Sequence, residues 1–509
     1  MEAILQTIGV KNLRSIYMAK PVKLTPITIL VGRNSAGKST FARTFPLLRQ
    51  SCEAKTRAPI LWFGDRTDFG SFKESIRKGN GVDNIEFNFS LMIPTGALVK
   101  SRGLSTPTES GSFIAELSFT IKSAAQGRSF SPLIRIKALG FDMEIKINEL
   151  NNLESITCSG RQWKPHVSDY SDISYQSILP RLTILRESKP KDKKSVYEEF
   201  VPFHDEIASQ LAVLGIQGAE RIINALPLIP LFNRGGLRRT VSPWMSHAIR
   251  DLDPESVERL YAFLDASEAT IFGSKVNELL TAIDSALKEY FAGVRYIEPL
   301  RATAQRYYRK QELAIDEIDS KGENLAMYLD SLGPWQTAEF SNWTQENFGF
   351  AAKTQSEGGH VAIVVSEQGK NVETNLADIG FGFSQILPVI VQIWMSMRPV
   401  VLRGKGTSCI VIEQPELHLH PALQAKLADV FAAVPRSNST VQLLIETHSN
   451  HLINRFGQLI SEGALNSSDI QILIIDKDEK GDRSTITESG YDEEGYLLNW
   501  PVGFFEPEF

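Results

Sequence analysis

Eight residues, GRNSAGKS from Gly32 to Ser39, restrict what this chain can fold into more than any other feature. They fit the pattern G-x-x-x-x-G-K-[ST]. They follow PITILV, an apolar β-branched run from Pro26 to Val31, and lead into a stretch with helical spacing, Ser39 to Gln50. A buried strand, a glycine-rich turn and a helix in that order aim successive backbone N–H groups at one point, at a helix end whose dipole favours negative charge. The pattern predicts a phosphate site in an α/β layer. Gly32, Asn34, Ser35, Ala36 and Gly37 form the cradle. Lys38 is expected to reach the β- and γ-phosphates, and Ser39, followed by Thr40, to ligate Mg2+.

The surrounding chain is long. At 509 residues, 42% hydrophobic and 22% charged, it exceeds one ordinary core and is too apolar for disorder, so two or three packed units are expected. With 54 Lys+Arg against 60 Asp+Glu, the net charge of −6 supplies no global field for nucleic acid or anionic lipid, although a local basic patch remains allowed. Cys52, Cys158 and Cys409 are widely separated, which fits neither a disulfide framework nor a zinc pair, so a cytoplasmic protein is expected. MEAILQTIGVKNLRS has polar residues where an export signal needs apolar ones, and no run of about 18 apolar residues occurs, so no membrane partner is expected. The runs at 225–232 and 387–395 read as core.

Between about 85 and 160, short alternating runs such as IEFNFSLMI and FDMEIKI predict an antiparallel sheet; from 197 to 292 the spacing turns helical, as in KVNELLTAIDSALKEYF. KPKDKKS (189–195) and GGLRRT (235–240) read as loops. From 360 onward VAIVV, CIVIE, VQLLIE and IQILIID predict the buried strands of an α/β unit. The first motif and these strands then belong to one layer, with a large insertion between them.

Three further motifs lie in that last part. CIVIEQPELHLHP ends a strand at Glu413, whose carboxylate is expected beside the phosphate loop, followed by Gln414 and Glu416. DIGFGFSQ places Gly380, Gly382, Ser384 and Gln385 ahead of an apolar run, a second candidate anion turn at a helix start. VQLLIETHSN carries Thr447 and His448 at another strand end, the edge where α/β sheets bind ligands.

In order, KNLRS, GRNSAGKST, GFGFSQ, IVIEQPELHLHP and IETHS resemble the ABC-type ATPases of the SMC, Rad50 and RecF kind, more narrowly the AAA15/AAA21-like group that includes the ATPase half of OLD nucleases. The resemblance covers roughly 1–80 and 295–509. It implies an α/β P-loop ATPase head of ABC type with an inserted antiparallel β plus helical region: 1–94 and 296–509 as halves of the head, 95–295 as the insertion. It makes Lys38 and Ser39 the first motif's phosphate and magnesium residues, and Glu413 the second magnesium carboxylate. Gly380, Gly382 and Ser384 become the turn that contacts ATP held by a second subunit, His448 the switch histidine and Arg14 an arginine near the nucleotide. His420 and Pro421 fall where the loop joining the two sites lies. The active unit would be a homodimer or higher oligomer.

TDFGSFKESI, YIEPLRATAQRYY, KGENLA and the terminal NWPVGFF resemble stretches of phage-defence ATPases of the PARIS kind. That likeness implies a sensor acting through a separate effector, a toxin or a nuclease of TOPRIM or HNH type, with a phage-encoded trigger. A DNA-repair or chromosome-maintenance ATPase is the alternative; it expects heptad arms or a basic surface, and no sustained heptad run occurs. Where the resemblance expects a glutamate to polarise the attacking water, this chain has Gln414. An amide orients water but cannot take its proton, so slow hydrolysis is expected, assisted by Glu416 or His448, with a long-lived ATP state acting as a switch. Asp476 and Asp478 have D-x-D spacing, read as a charged turn rather than a nuclease centre because only about thirty residues follow. Arg301, Arg306, Arg309 and Lys310, interleaved with Tyr307 and Tyr308, read as a solvated helix face or dimer contact, with DNA phosphates as the other possibility.

Overall fold

The computed structural model describes residues 3–500, apart from 18–19, 80, 95–110, 125–126, 167–168, 189–195, 200, 216–222, 224–228, 242–249, 251, 312–314, 368, 370–371, 399–406, 438–439 and 479–482. The lysine-rich 189–195 segment and most of NWPVGFF lie outside the described residues. The chain divides into two units, Met1–Leu13 with Leu47–Ala292, and Arg14–Pro46 with Gly293–Phe509.

In the first unit an antiparallel sheet runs, in spatial order, Arg161–Trp163, Leu153–Cys158, Phe141–Ile147, Ser129–Ala138, Ser112–Ser123, Asn84–Pro94 and Ile4–Leu13. Strict alternation in Asn84–Pro94 buries Ile85, Phe87, Phe89, Leu91 and Ile93 on one face, the period-two pattern of a sheet covered on one side. Helices cover it: Phe291 of Val276–Ala292 meets Phe89 edge-on at 6.0 Å, and Phe272 of Glu268–Gly273 stacks on Phe141 at 4.0 Å. GGLRRT is not simply a loop. Gly235 makes a turn at φ 76°, and the chain is helical at 237–241, where the Gly235 and Leu237 N–H groups donate to the Glu268 carboxylate at 2.8 and 3.3 Å.

The second unit holds a mainly parallel sheet. Its order is Ile16–Tyr17, Ser484–Tyr491, Ile470–Lys477, Ile27–Gly32, Gln442–Glu446, Cys409–Glu413 and Val294–Ile297. The run from Ile470–Lys477 to Val294–Ile297 is parallel throughout, and Ser484–Tyr491 pairs antiparallel with Ile470–Lys477. Every residue of Ile27–Gly32 and Cys409–Glu413 is buried, as strands packed on both faces require. Helices Phe381–Met397, Pro421–Ser437 and Asn450–Ser461 add Ile386, Ile390, Phe431, Leu452 and Phe456 to the core formed by Ile27, Ile29 and Val31. This is the expected α/β ATPase fold class. VAIVV is a strand, but it belongs to a separate antiparallel sheet, His360–Glu367 pairing with Phe350–Glu357.

The second unit resumes at Gly293. Residues 1–13 and 47–94, expected in the head, group instead with the β-rich unit, because Ile4–Leu13 pairs with Asn84–Pro94 along its length. Among the described residues no helix is long and apolar enough to cross a membrane.

Candidate nucleotide site

The phosphate loop leaves the sheet at Gly32, where a Cβ would lie 2.0 Å from the Ile475 carbonyl oxygen, so only glycine fits there. Gly37, at φ 106°, closes the turn with the Ser15 hydroxyl and Ile16 side chain against it, and Arg14 directly precedes Ser15 in the chain. Ser35 is left-handed at φ 61°, and Arg33, Asn34 and Ser35 are exposed. Helix Lys38–Glu53 starts at the motif lysine. Lys38 is buried and donates to the Gly32 and Arg33 carbonyls, both at 2.9 Å; burial pushes its pKa down, opposed by the charges of Glu446 and Glu416.

Parallel pairing brings the ends of two acid-bearing strands together, with Glu413 opposite Glu446 and Glu446 opposite Leu30 of the loop strand. Glu413 is 1% exposed and its oxygens are fully engaged. Arg43 grips it in a fork, Nε to Oε1 at 2.8 Å and Nη2 to Oε2 at 2.9 Å, while the Tyr296 hydroxyl donates to Oε1 at 2.7 Å. The carboxylate that meets Ser39 is Glu446, whose Oε1 accepts the Ser39 hydroxyl at 3.0 Å. Among the described residues its Oε2 has no hydrogen-bond partner, at 3% exposure, and burial followed by repulsion from Glu413 pushes its pKa up to about 7.

Beyond Glu413 the backbone turns sharply. Gln414 is left-handed at φ 45°, held there by its own N–H, which donates to the Glu446 carbonyl at 2.8 Å, and by Arg301, whose Nη2 donates to the Glu413 carbonyl at 2.8 Å. Burial lowers the Arg301 pKa to about 10, against the opposing pull of Glu416 and Glu413. Glu416 is also buried, its pKa raised by desolvation, and Oε1 accepts the His448 N–H at 2.7 Å. The His448 ring is exposed at the strand end, and partial desolvation with the Lys38 charge lowers its pKa.

Gly380 caps helix Phe381–Met397 at φ 110°, so Gly382 and Ser384 lie inside its first turns rather than in a loop. A Cβ on Gly382 would lie 2.9 Å from the His418 carbonyl, and the Phe381 ring meets His418 edge-on at 5.0 Å. The turn thus packs on the segment that follows Glu416. The Ser384 hydroxyl donates to the Phe381 carbonyl at 2.8 Å. Exposed His420 precedes Pro421, the first residue of its helix.

The sheet therefore gathers Lys38, Ser39, Glu413, Glu416, Glu446 and His448 at one edge. The basic stretch is not a helix face: Arg301 is 4% exposed within an irregular segment, Arg306 pairs with Asp378 at 2.6 Å and Lys310 with Asp330 at 2.9 Å. Asp476 is the second-last residue of the strand Ile470–Lys477, and Asp478 just beyond it accepts the Arg483 N–H at 3.2 Å. The sequence reading missed Glu446, Arg43 and Tyr296, and it put the buried Arg301 on a solvated face. Arg43 was detectable, since it lies one helical turn beyond Ser39 and so on the same face. Glu446 ends its strand as Glu413 does, but only strand order shows which of them adjoins the loop.

Among the described residues no group of three or more His, Cys, Asp or Glu could enclose a metal ion. The residues present nevertheless fit Mg2+, which is held by one or two hard oxygen ligands plus phosphates. A serine hydroxyl beside a buried carboxylate with a free oxygen is such a donor set.

Residues 260–453 match the family model described as an AAA ATPase domain. That span includes Arg301, the Gly380–Ser384 turn, Glu413–Glu416 and Thr447–His448, and it supports ATPase activity and nucleotide binding in general. No curated protein matches in sequence. Among solved structures, the Smc head domain with an extended coiled coil bound to the C-terminal domain of ScpA, from Pyrococcus furiosus, is 11% identical over 96% of each chain with a TM-score of 0.35. The SmcHead bound to the C-winged helix domain of ScpA is 10% identical over 95% of this chain and 98% of that one, at 0.36. The SMC head domain from Thermotoga maritima is 9% identical over 95% and 98%, at 0.33. The fold rests on the strand order and the loop.

Proposed function

We propose that this chain is a slow ATP-hydrolysing switch of the ABC-ATPase kind, binding Mg-ATP between subunits of a homo-oligomer and regulating a separate effector. One observation carries the nucleotide reading: the strand, GRNSAGKS loop and helix stand at the sheet's C-terminal edge, with Lys38 and Ser39 beside the ends of the two acid-bearing strands. The loop amides and Lys38 hold the phosphates, Ser39 and a strand-end carboxylate hold Mg2+, and Gln414, Glu416 and His448 orient the attacking water. Mg2+, when bound, neutralises phosphate charge.

Slow turnover follows from Gln414, which lacks a basic oxygen. The subunit contact through Gly380, Gly382 and Ser384, the position of Arg14 near the nucleotide and the defence role with its nuclease or toxin effector are supported by the resemblance of those motifs. Phosphate release by the wild-type chain against Lys38→Ala tests the enzyme. Phage challenge of cells carrying this gene and its neighbours, with and without Lys38→Ala, tests the defence role, which requires protection that the substitution abolishes.

A further inference from the structure

We infer that Glu446, rather than Glu413, is the carboxylate that faces the nucleotide's divalent cation together with Ser39, while Arg43 and Tyr296 keep Glu413 as a structural anion. This inference rests on the nucleotide site proposed above.

Glu413 has little to offer a cation. Its two oxygens already accept three hydrogen bonds, two of them from one guanidinium in the bidentate geometry that is strongest for a carboxylate. A divalent ion arriving there would displace that fork and meet the Arg43 charge. Glu446 is in the opposite condition. It is nine-tenths buried or more, one oxygen accepts the Ser39 hydroxyl at 3.0 Å, and the other has no hydrogen-bond partner among the described residues. A buried carboxylate oxygen left unpaired is costly, and a cation seated beside Ser39 removes that cost. Strand order supplies the rest: Gln442–Glu446 lies directly between the loop strand and Cys409–Glu413, so Glu446 is the nearer acid to the loop by one strand.

The test uses Mn2+ as the probe, detected by electron paramagnetic resonance, with a non-hydrolysable ATP analogue and the full-length chain. Glu446→Gln should weaken Mn2+ uptake by roughly 10-fold or more, the size of loss seen on removing groups that orient or support a metal. In EDTA, where no cation is held, Glu446→Gln should bind the analogue at least as tightly as wild type, because a negative charge beside the triphosphate is gone, and the Mn2+ loss in Glu413→Gln should be smaller than in Glu446→Gln. Glu446→Asp, which keeps a carboxylate, should fall between wild type and Glu446→Gln and serves if the glutamine variant does not fold. Wild-type Mn2+ affinity in Glu446→Gln, or an equal loss in Glu413→Gln, overturns the inference. A wild-type chain that takes up no analogue either with Mn2+ present or in EDTA overturns the nucleotide reading itself.

Discussion

Gln414 combines two unusual properties, an amide where a base is expected and a left-handed backbone fastened by Arg301 and by the Glu446 carbonyl. Because the backbone is held independently of the side chain, Gln414→Glu should keep its place and add a proton acceptor. ATP turnover should rise about 10-fold or more, with the affinity for ATP unchanged; a turnover equal to wild type would remove Gln414 as the brake. At Gly32 the constraint is steric. Gly32→Ala puts a methyl 2.0 Å from the Ile475 carbonyl at a φ of 152°, and should cost about 1–3 kcal/mol in urea unfolding while also weakening ATP binding. At this scale the sequence was legible where chemistry follows chain order, as for Lys38 and Ser39. It was silent on Glu446 and Tyr296 and misplaced Arg301, because their roles arise from which strand ends and carbonyls lie side by side.

Helix Val276–Ala292 shows how one element is fastened. Asp284 accepts the N–H groups of Ile178 and Leu179 at 3.1 and 2.9 Å, and Asn277 exchanges hydrogen bonds with the Leu182 backbone at 3.0 and 2.7 Å. Burial raises the Asp284 pKa to about 6, against the hydrogen bonds and Lys288 that stabilise its charge. A carboxyl whose folded pKa lies above its unfolded value contributes stability that is complete below about pH 4 and is lost as pH rises through about 6, here on the order of 3 kcal/mol. Asp284→Asn keeps the acceptor and removes the titration. Its stability relative to wild type, followed by urea unfolding from pH 4 to 8, should therefore improve as the pH rises through 6; a flat difference would refute the assignment. Elements were the most legible scale. The alternation of Asn84–Pro94 and the apolar runs of Ile27–Gly32 and Cys409–Glu413 are direct readings of one-sided and two-sided burial. Arg301–Lys310 misled because interleaved Arg and Tyr suit a helix face equally well, and nothing local marks the buried carbonyls that Arg301 serves.

For the whole molecule, the division into units was legible only in outline. Residues 1–13 read as part of the head because they run into KNLRS at 11–15, whereas pairing with Asn84–Pro94 decides their membership, and pairing across such a distance in the chain leaves no local signal. The switch reading makes assembly depend on nucleotide: with a non-hydrolysable analogue and Mg2+, light scattering should show the wild-type mass doubling or more, and Lys38→Ala unchanged. All of this depends on the loop from Gly32 to Ser39 holding the triphosphate. The most direct measurement is calorimetric titration of Mg-ATP into the wild-type and Lys38→Ala chains, where the substitution should cost roughly 100-fold in affinity, about 2.7 kcal/mol. Equal affinity in the two chains would contradict the account.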